Sequence, residues 1–272
     1  MEVNEAEKKR WNEAVWTEHW PKRERLTEMV TPTLLAALDL KSGERVLDIG
    51  CGGGLTTLAA AKKIGASGIA TGADISTALL ALASRRAAEA GIKNVSFQVQ
   101  DVQRDMIAGG PFDAAMSQFG VMFFDEPKVA FTNIRAHLVP GARLAFVCWQ
   151  SAANNPWHYA AALKGISPAP PLPAPGKSPT GPFAFGDPDY VRAIVEGAGF
   201  IGVSIANHLI STDVPANAIV DDAQLIYNGV PADKMDIARA LVEKHMTAFR
   251  LPSGLCRFPL AVQVFTAHNS AK

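Results

Sequence analysis

Three features of this sequence predict an α/β fold built around a mainly parallel sheet. From Arg45 onward, short apolar runs alternate with Ala- and Leu-rich runs, the rhythm of βαβ units that lay parallel strands side by side. A glycine-rich turn, within VLDIGCGGG at residues 46–54, separates the first strand from the first helix of that series. Three consecutive strands end on an aspartate, at Asp48, Asp74 and Asp101, which lines one carboxyl edge of the sheet with acids.

The elements follow in order. Residues 11–40 carry helical patterning, with Trp16, Trp20, Leu34, Leu35 and Leu38 on apolar stripes. With Trp11 they make a leader heavy in tryptophan, readable as a helix packed on the main domain or as a lid over a ligand. Strand one ends at Asp48, and a helix is predicted at 55–64. Strand two at 68–74 leads into a helix at 75–90, and strand three covers 95–99. Strand four covers 112–117, with a helix at 127–138 behind it and strand five at 141–149. Residues 164–189 then hold 8 of the 18 prolines, so neither helix nor sheet continues there and a functional loop is expected. A helix resumes at 187–199, with Asp187 as cap and Pro188 in the first turn. Strand six is placed at 200–210, helices at 213–227 and 232–249, and strand seven at 258–265. Pro259 suits a strand end or edge better than a central position. The organisation expected is a leader lid at 1–40, a binding core at 41–150, a cap loop at 151–186, and the rest of the core with a helical insertion at 187–272.

The bulk composition narrows the function classes. With 272 residues, 48% hydrophobic and 19% charged, the chain can bury a sizeable α/β core. Its 26 basic residues balance 26 acidic ones, so the basic excess of a nucleic-acid binder is missing. No stretch approaches the roughly 18 uninterrupted apolar residues of a membrane span. The N-terminus mixes both charge signs without an apolar signal segment. Three widely spaced cysteines suggest a reduced compartment, and a cytoplasmic protein is expected.

The glycine spacing says what the turn holds. Strand, glycine turn and helix together aim backbone N–H groups and a positive helix end at a ligand. A dinucleotide turn wants G-x-G-x-x-G, but the sixth position is Leu55 counted from Gly50 and Thr57 counted from Gly52. A phosphate-cradling P-loop fails too, since the only Gly-Lys-Ser has Pro171 where the first glycine belongs. The pattern present is D-x-G-x-G-x-G, at Asp48, Gly50, Gly52 and Gly54. A carboxylate there repels a pyrophosphate and suits a cationic ligand end, such as an ammonium beside a sulfonium. Asp74, twenty residues past Gly54, can accept both hydroxyls of a ribose. Asp101 can accept from an exocyclic adenine amine.

These residues resemble the class I S-adenosylmethionine-dependent methyltransferases. The resemblance runs through VLDIGCGGG, ATGADIS, VQDV, FDAAMSQFGVMFF and LVPGARLAFVCW. FGVMFF and the later NNPW look like the bacterial small-molecule methyltransferases related to ubiquinone and menaquinone C-methylases. The family implies a Rossmann-like seven-stranded sheet, mostly parallel with an antiparallel last strand and helices on both faces, plus insertions after strands five and six. It implies S-adenosyl-L-methionine as cofactor. Asp48, Gly50 and Gly52, with Cys51 in the same turn, would hold the methionine part. Asp74 would hold the ribose, with Ile75 flanking the adenine, and Asp101 and Val102 would hold the adenine edge. Ser117 would sit near the methionine carboxylate or the methyl, with Phe119 beside it.

The acceptor is less legible. In-line methyl transfer needs mainly alignment in a dry pocket, and a base only when the acceptor proton must leave. His158 is the first candidate base and His19 the second. Trp16, Trp20, Met122, Phe123, Trp157, Phe183 and Phe185 suggest a small acceptor with an aromatic or lipid-like body, methylated on O, N or C. No metal is expected, because Ser117 and Trp149-Gln150 stand where metal-dependent relatives carry acids. Ser117-Gln118-Phe119-Gly120 also replaces the N-P-P-Y of base and glutamine methylation. The oligomeric state is open, with a homodimer as one option. Two other classes stay in view. A non-catalytic S-adenosylmethionine-binding regulator would keep the three aspartates. An NAD(P)-dependent reductase needs Tyr-x-x-x-Lys, and Tyr159 and Lys164 stand one residue too far apart.

Overall fold

The computed structural model describes residues 4–155, 158, 162–167, 180–215, 220 and 222–270, without the side chains of residues 6, 15, 223 and 227. The sheet grows outward from β1 (Arg45–Ile49), whose last four residues are buried. On one side of it lie β2 (Ile69–Asp74) and then β3 (Val95–Val99). On the other lie β4 (Phe112–Gln118), β5 (Leu138–Trp149), and, out of chain order, β7 (Cys256–Asn269) before β6 (Phe200–Val214) at the edge. The pairings β3–β2, β2–β1, β1–β4 and β4–β5 are parallel, whereas β7 runs antiparallel to both its neighbours. The strand order reverses between β1 and β4, and open α/β sheets bind ligands at the carboxyl ends beside such a switch.

Local chemistry sets the helices that aim at that edge. Gly54, in left-handed backbone at φ 83°, starts α4 (Leu55–Ile64). Ser76 caps α5 (Thr77–Glu89), its hydroxyl accepting from the Leu79 N–H at 3.3 Å. Pro127 opens α6 (Pro127–Ala136), and Asp187 caps α7 (Pro188–Gly197) by accepting from the Asp189 and Tyr190 N–H groups. Behind β4, β5 and β7 the core is rich in phenylalanine. Phe146 and its cross-strand partner Phe265 stack at 4.8 Å, and Phe131 tilts against Phe146 at 5.3 Å. Each such pair contributes about 0.5–1.5 kcal/mol beyond its buried area.

Several element boundaries differ from the sequence-based expectation. The leader is broken into α1 (Glu5–Trp11), α2 (Ala14–Thr27) and α3 (Thr31–Leu38). The first break is stabilised by the Asn12 side chain, whose oxygen accepts from the Thr77 N–H and hydroxyl at 3.0 and 2.9 Å. Leu138, expected to end a helix, pairs with Phe112 as the first residue of β5. Asp213, expected in a helix, lies in β6, where Arg257 of β7 donates to its carboxylate at 2.9 and 3.0 Å. In the helical insertion that follows, α8 (Asp222–Tyr227) starts later than expected, whereas α9 (Met235–Met246), with 3-10 turns at Ala232–Lys234 and Thr247–Phe249, covers the expected 232–249. Strand β7 extends beyond its expected span at both ends. Pro259 pairs with Ser211 of β6, past the point where β5 stops pairing at Val262, so its missing N–H leaves no gap in a two-sided ladder.

Candidate functional site

The glycine turn after β1 is built on conformation. Gly50, Gly52 and Gly54 all have positive φ, at 65°, 52° and 83°, which residues with a Cβ rarely adopt. The N–H groups of Gly50 and Cys51 donate to the Ala73 carbonyl at 2.9 and 3.2 Å, tying the turn to β2. Gly50 also touches the loop after β4: a Cβ on it would lie 2.8 Å from Cα of Gly120. Asp74, at the end of β2, grips the turn from the other side. Its Oδ2 accepts from the Gly52 N–H at 2.8 Å and its Oδ1 from the Ser76 N–H at 2.8 Å. Burial raises its pKa above the usual carboxylate value, opposed by those N–H groups.

Asp48 is fully buried beneath the turn. Its Oδ2 accepts from the Thr56 and Thr57 hydroxyls, each at 2.6 Å, while its Oδ1 has no hydrogen-bond partner. Burial outweighs the hydroxyls and lifts its pKa from 3.8 to about 7. The folded chain therefore keeps a proton that the unfolded chain releases above about pH 4. The stability due to this difference is present at acid pH and is lost as the pH rises toward 7. Thermal melts of the ligand-free protein should drop between pH 5 and 7.5, and Asp48→Asn should flatten that slope. An unchanged slope in the variant would show that Asp48 does not titrate this way.

A cavity of about 210 Å³ opens at the carboxyl ends of β1 and β4. Gly50 and Cys51 line it from the turn, Asp74 and Ile75 from β2, and Asp101 and Val102 from β3. Gln118, Phe119 and Gly120 line it from β4, and Trp149 from β5. The leader closes the far side. Nδ2 of Asn4 donates to both carboxylate oxygens of Asp101 at 2.9 Å, the interaction an exocyclic amine would make. The Trp20 ring lies so close over the turn that a Cβ on Gly52 would be 2.2 Å from it. Its indole N–H donates to Glu24 at 3.1 Å, and Glu24 pairs with Arg86 at 2.6 Å. Arg86 in turn donates to the Gly53 carbonyl at 2.8 Å.

The residues singled out from sequence fall into two groups. Gly50, Cys51, Asp74, Ile75, Asp101, Val102, Phe119, Trp20, Met122 and Phe123 come together around the cavity. Others do not line it. Asp48 is buried beneath the turn, and Gly52 is a turn residue covered by the Trp20 ring. Ser117 is buried, donating to the Ile49 carbonyl at 2.8 Å and accepting from the Gly120 N–H at 3.2 Å, so it braces two loops. Trp16 is buried under the Arg23 guanidinium, and Phe185 is a core ring against Phe131 and Phe146. Phe183 packs on the core and meets His158 edge-on at 4.7 Å. Burial lowers the pKa of His158 to about 4, which keeps it neutral near pH 7. The carboxyl of Asp222, held low first by Arg239, also feels His19, which places that histidine toward α8. Trp157 and much of the proline-rich loop lie outside the described residues. Sequence reasoning missed the cavity roles of Asn4, Gln118, Gly120 and Trp149. For Gln118 and Trp149 a signal existed, since each ends a parallel strand at the carboxyl edge of the sheet. Among the described residues, no cluster of three or more His, Cys, Asp or Glu could hold a metal, and no helix is long and apolar enough to cross a membrane.

Comparison with known proteins bears on this geometry. Residues 46–141 match the family model described as a methyltransferase domain. The chain is 34% identical over 122 residues to the aklanonic acid methyltransferase DauC of Streptomyces sp. (strain C5), covering 44% of this chain and 56% of that protein. It is 28% identical over 183 residues to the nocamycin O-methyltransferase of Saccharothrix syringae, covering 64% of this chain and 65% of that one. The match thus spans between about half and two thirds of these relatives' length. The crystal structure of a SAM dependent methyltransferase from Aquifex aeolicus, 17% identical, superposes with a TM-score of 0.54 over 97% of each chain and shares the fold.

Proposed function

Residues 46–141 form a methyltransferase domain on a class I S-adenosylmethionine-dependent methyltransferase fold, and from that premise we propose that the chain methylates a small acceptor with an apolar body. The cofactor of this fold is S-adenosyl-L-methionine, and the residues fit it. The left-handed glycines leave the strand end bare of side chains, Asp48 keeps an unpartnered buried oxygen beneath them, and two further carboxylates line the same cavity. That convergence of two strand-end acids on one switch-point cavity, with a third acid buried beneath its glycine turn, is the observation that carries the proposal. When bound, the cofactor supplies a methyl group on a cationic sulfur.

The chain's own residues do the rest. Asp74 would hold the ribose hydroxyls while gripping the turn through Gly52. Asp101 and Val102 would hold the adenine edge, with the Asn4 amide sharing or yielding the Asp101 carboxylate. The Asp48 carboxyl, poised to ionise near neutral pH beneath the turn, would do so in favour of a cationic methionine end. The leader, with Trp11 and Trp20 on the cavity, excludes water from the acceptor side, and the proline-rich loop is proposed to complete that cap. Methyl transfer is proposed to proceed in line, by alignment and desolvation, without a metal and without His158 as base, onto an acceptor that enters already deprotonated, such as a phenolate, so that no proton has to leave within the site. The nocamycin O-methyltransferase, as a relative, supports oxygen as the receiving atom.

Release of S-adenosylhomocysteine with a panel of phenols, quinols and amines tests the activity. Turnover is expected with at least one acceptor and should survive a chelator. Binding without any release would make the chain a cofactor-binding regulator, and tighter binding of NADH than of S-adenosylmethionine would contradict the cofactor.

A further inference from the structure

At the end of β4, Phe119 stands in left-handed backbone at φ 65°, a conformation a bulky residue seldom takes. Its N–H donates to the Val147 carbonyl at 3.0 Å, which holds it against β5. Its ring lies parallel to that of Trp149, the last residue of β5, with centroids 4.2 Å apart and planes within 14°. Both rings line the cavity. A glycine would take this backbone without strain, so the phenylalanine is kept against the local preference, and such strain gathers at ligand-binding sites. The leader faces the same cavity with aromatic rings too. Trp11 meets Phe123 edge-on at 5.2 Å and Trp20 edge-on at 6.2 Å. Aromatic faces and edges gain most from a flat π-system, through offset stacking and edge-to-face contact, and a puckered or flexible chain makes less of them.

We propose that Phe119 and Trp149 form a platform that selects and orients a flat aromatic acceptor, with Phe119 the specificity-determining residue. This rests on the methyltransferase assignment and decides between the aromatic and lipid-like acceptors the sequence left open.

The test is calorimetric titration of 2-naphthol and decahydro-2-naphthol, the same ring skeleton in puckered form, into the full chain saturated with S-adenosylhomocysteine. The wild-type protein is expected to prefer the flat probe by about tenfold. Phe119→Gly, which relaxes the backbone, should shrink the preference to within about twofold while changing S-adenosylhomocysteine affinity by a smaller factor. Phe119→Leu, which keeps apolar bulk without a flat face, should behave alike and still melt cooperatively, at a somewhat lower midpoint for the lost stacking on Trp149. Three results would overturn the platform: no preference in the wild type, an unchanged preference in both variants, or a matching loss of S-adenosylhomocysteine affinity, which would make Phe119 a cofactor contact. Failure of the wild type to bind S-adenosylhomocysteine would sink the methyltransferase assignment and the platform together.

Discussion

Asp74→Ala is expected to weaken S-adenosylmethionine binding by about 2–3 kcal/mol, roughly 30- to 150-fold in dissociation constant, as losing charge-assisted hydrogen bonds does. The structure gives this carboxylate a second task. It accepts the Gly52 and Ser76 N–H groups, so the substitution leaves two backbone donors at the turn without their acceptor. The loss should therefore fall on the shape of the turn as well as on the ligand's hydroxyls. Asp74→Asn separates the two, because its single amide oxygen can keep one of the N–H groups but not both. Titration calorimetry should place Asn between Asp and Ala. Wild-type affinity in the alanine variant would remove Asp74 from the cofactor site.

Gly120→Ala should lower stability by about 1–3 kcal/mol, the usual range for forcing extra atoms into a packed site. Gly120 has an ordinary helical backbone, φ −78° and ψ −43°, so the cost does not come from conformation. It comes from proximity. A Cβ there would sit 2.7 Å from the Ile49 carbonyl oxygen and 2.9 Å from Cα of Gly50, both backbone atoms that cannot rotate away. Relief requires the β1 and β4 loops to part, and that separation opens the cradle. Melting temperature and S-adenosylmethionine affinity should therefore fall together. A variant that melts lower yet binds normally would show that the two loops can part without disturbing the cofactor site.

These two residues mark different depths of legibility. Asp74 could be read from the chain because its position relative to the glycines is local: a strand, a turn, a helix and a second strand place it, and each is written in nearby residues. The same holds for Asp101 and for the strands themselves, whose cores at 95–99 and 112–117 were recognisable from apolar patterning. Gly120 could not be read that way, since its constraint is another backbone seventy residues earlier in the chain. Phe185 misled for the same reason. An aromatic ring in a proline-rich stretch looks available for a ligand, whereas the fold buries it against Phe131 and Phe146.

The sequence by itself determined the alternation of strands and helices, the glycine spacing that suits neither a pyrophosphate nor a P-loop, and the acids at three strand ends. Each depends on contacts within a few tens of residues, where the spacing along the chain fixes distance in space. Only the tertiary structure decided that β7 inserts between β5 and β6, that Asp48 lies under the turn with one oxygen unpartnered, and that Asn4 reaches Asp101. It also decided that Phe119 meets Trp149 face to face. Those pairings join segments far apart in the chain, whose meeting is set by how the whole core closes, and no local pattern of residues encodes that closure.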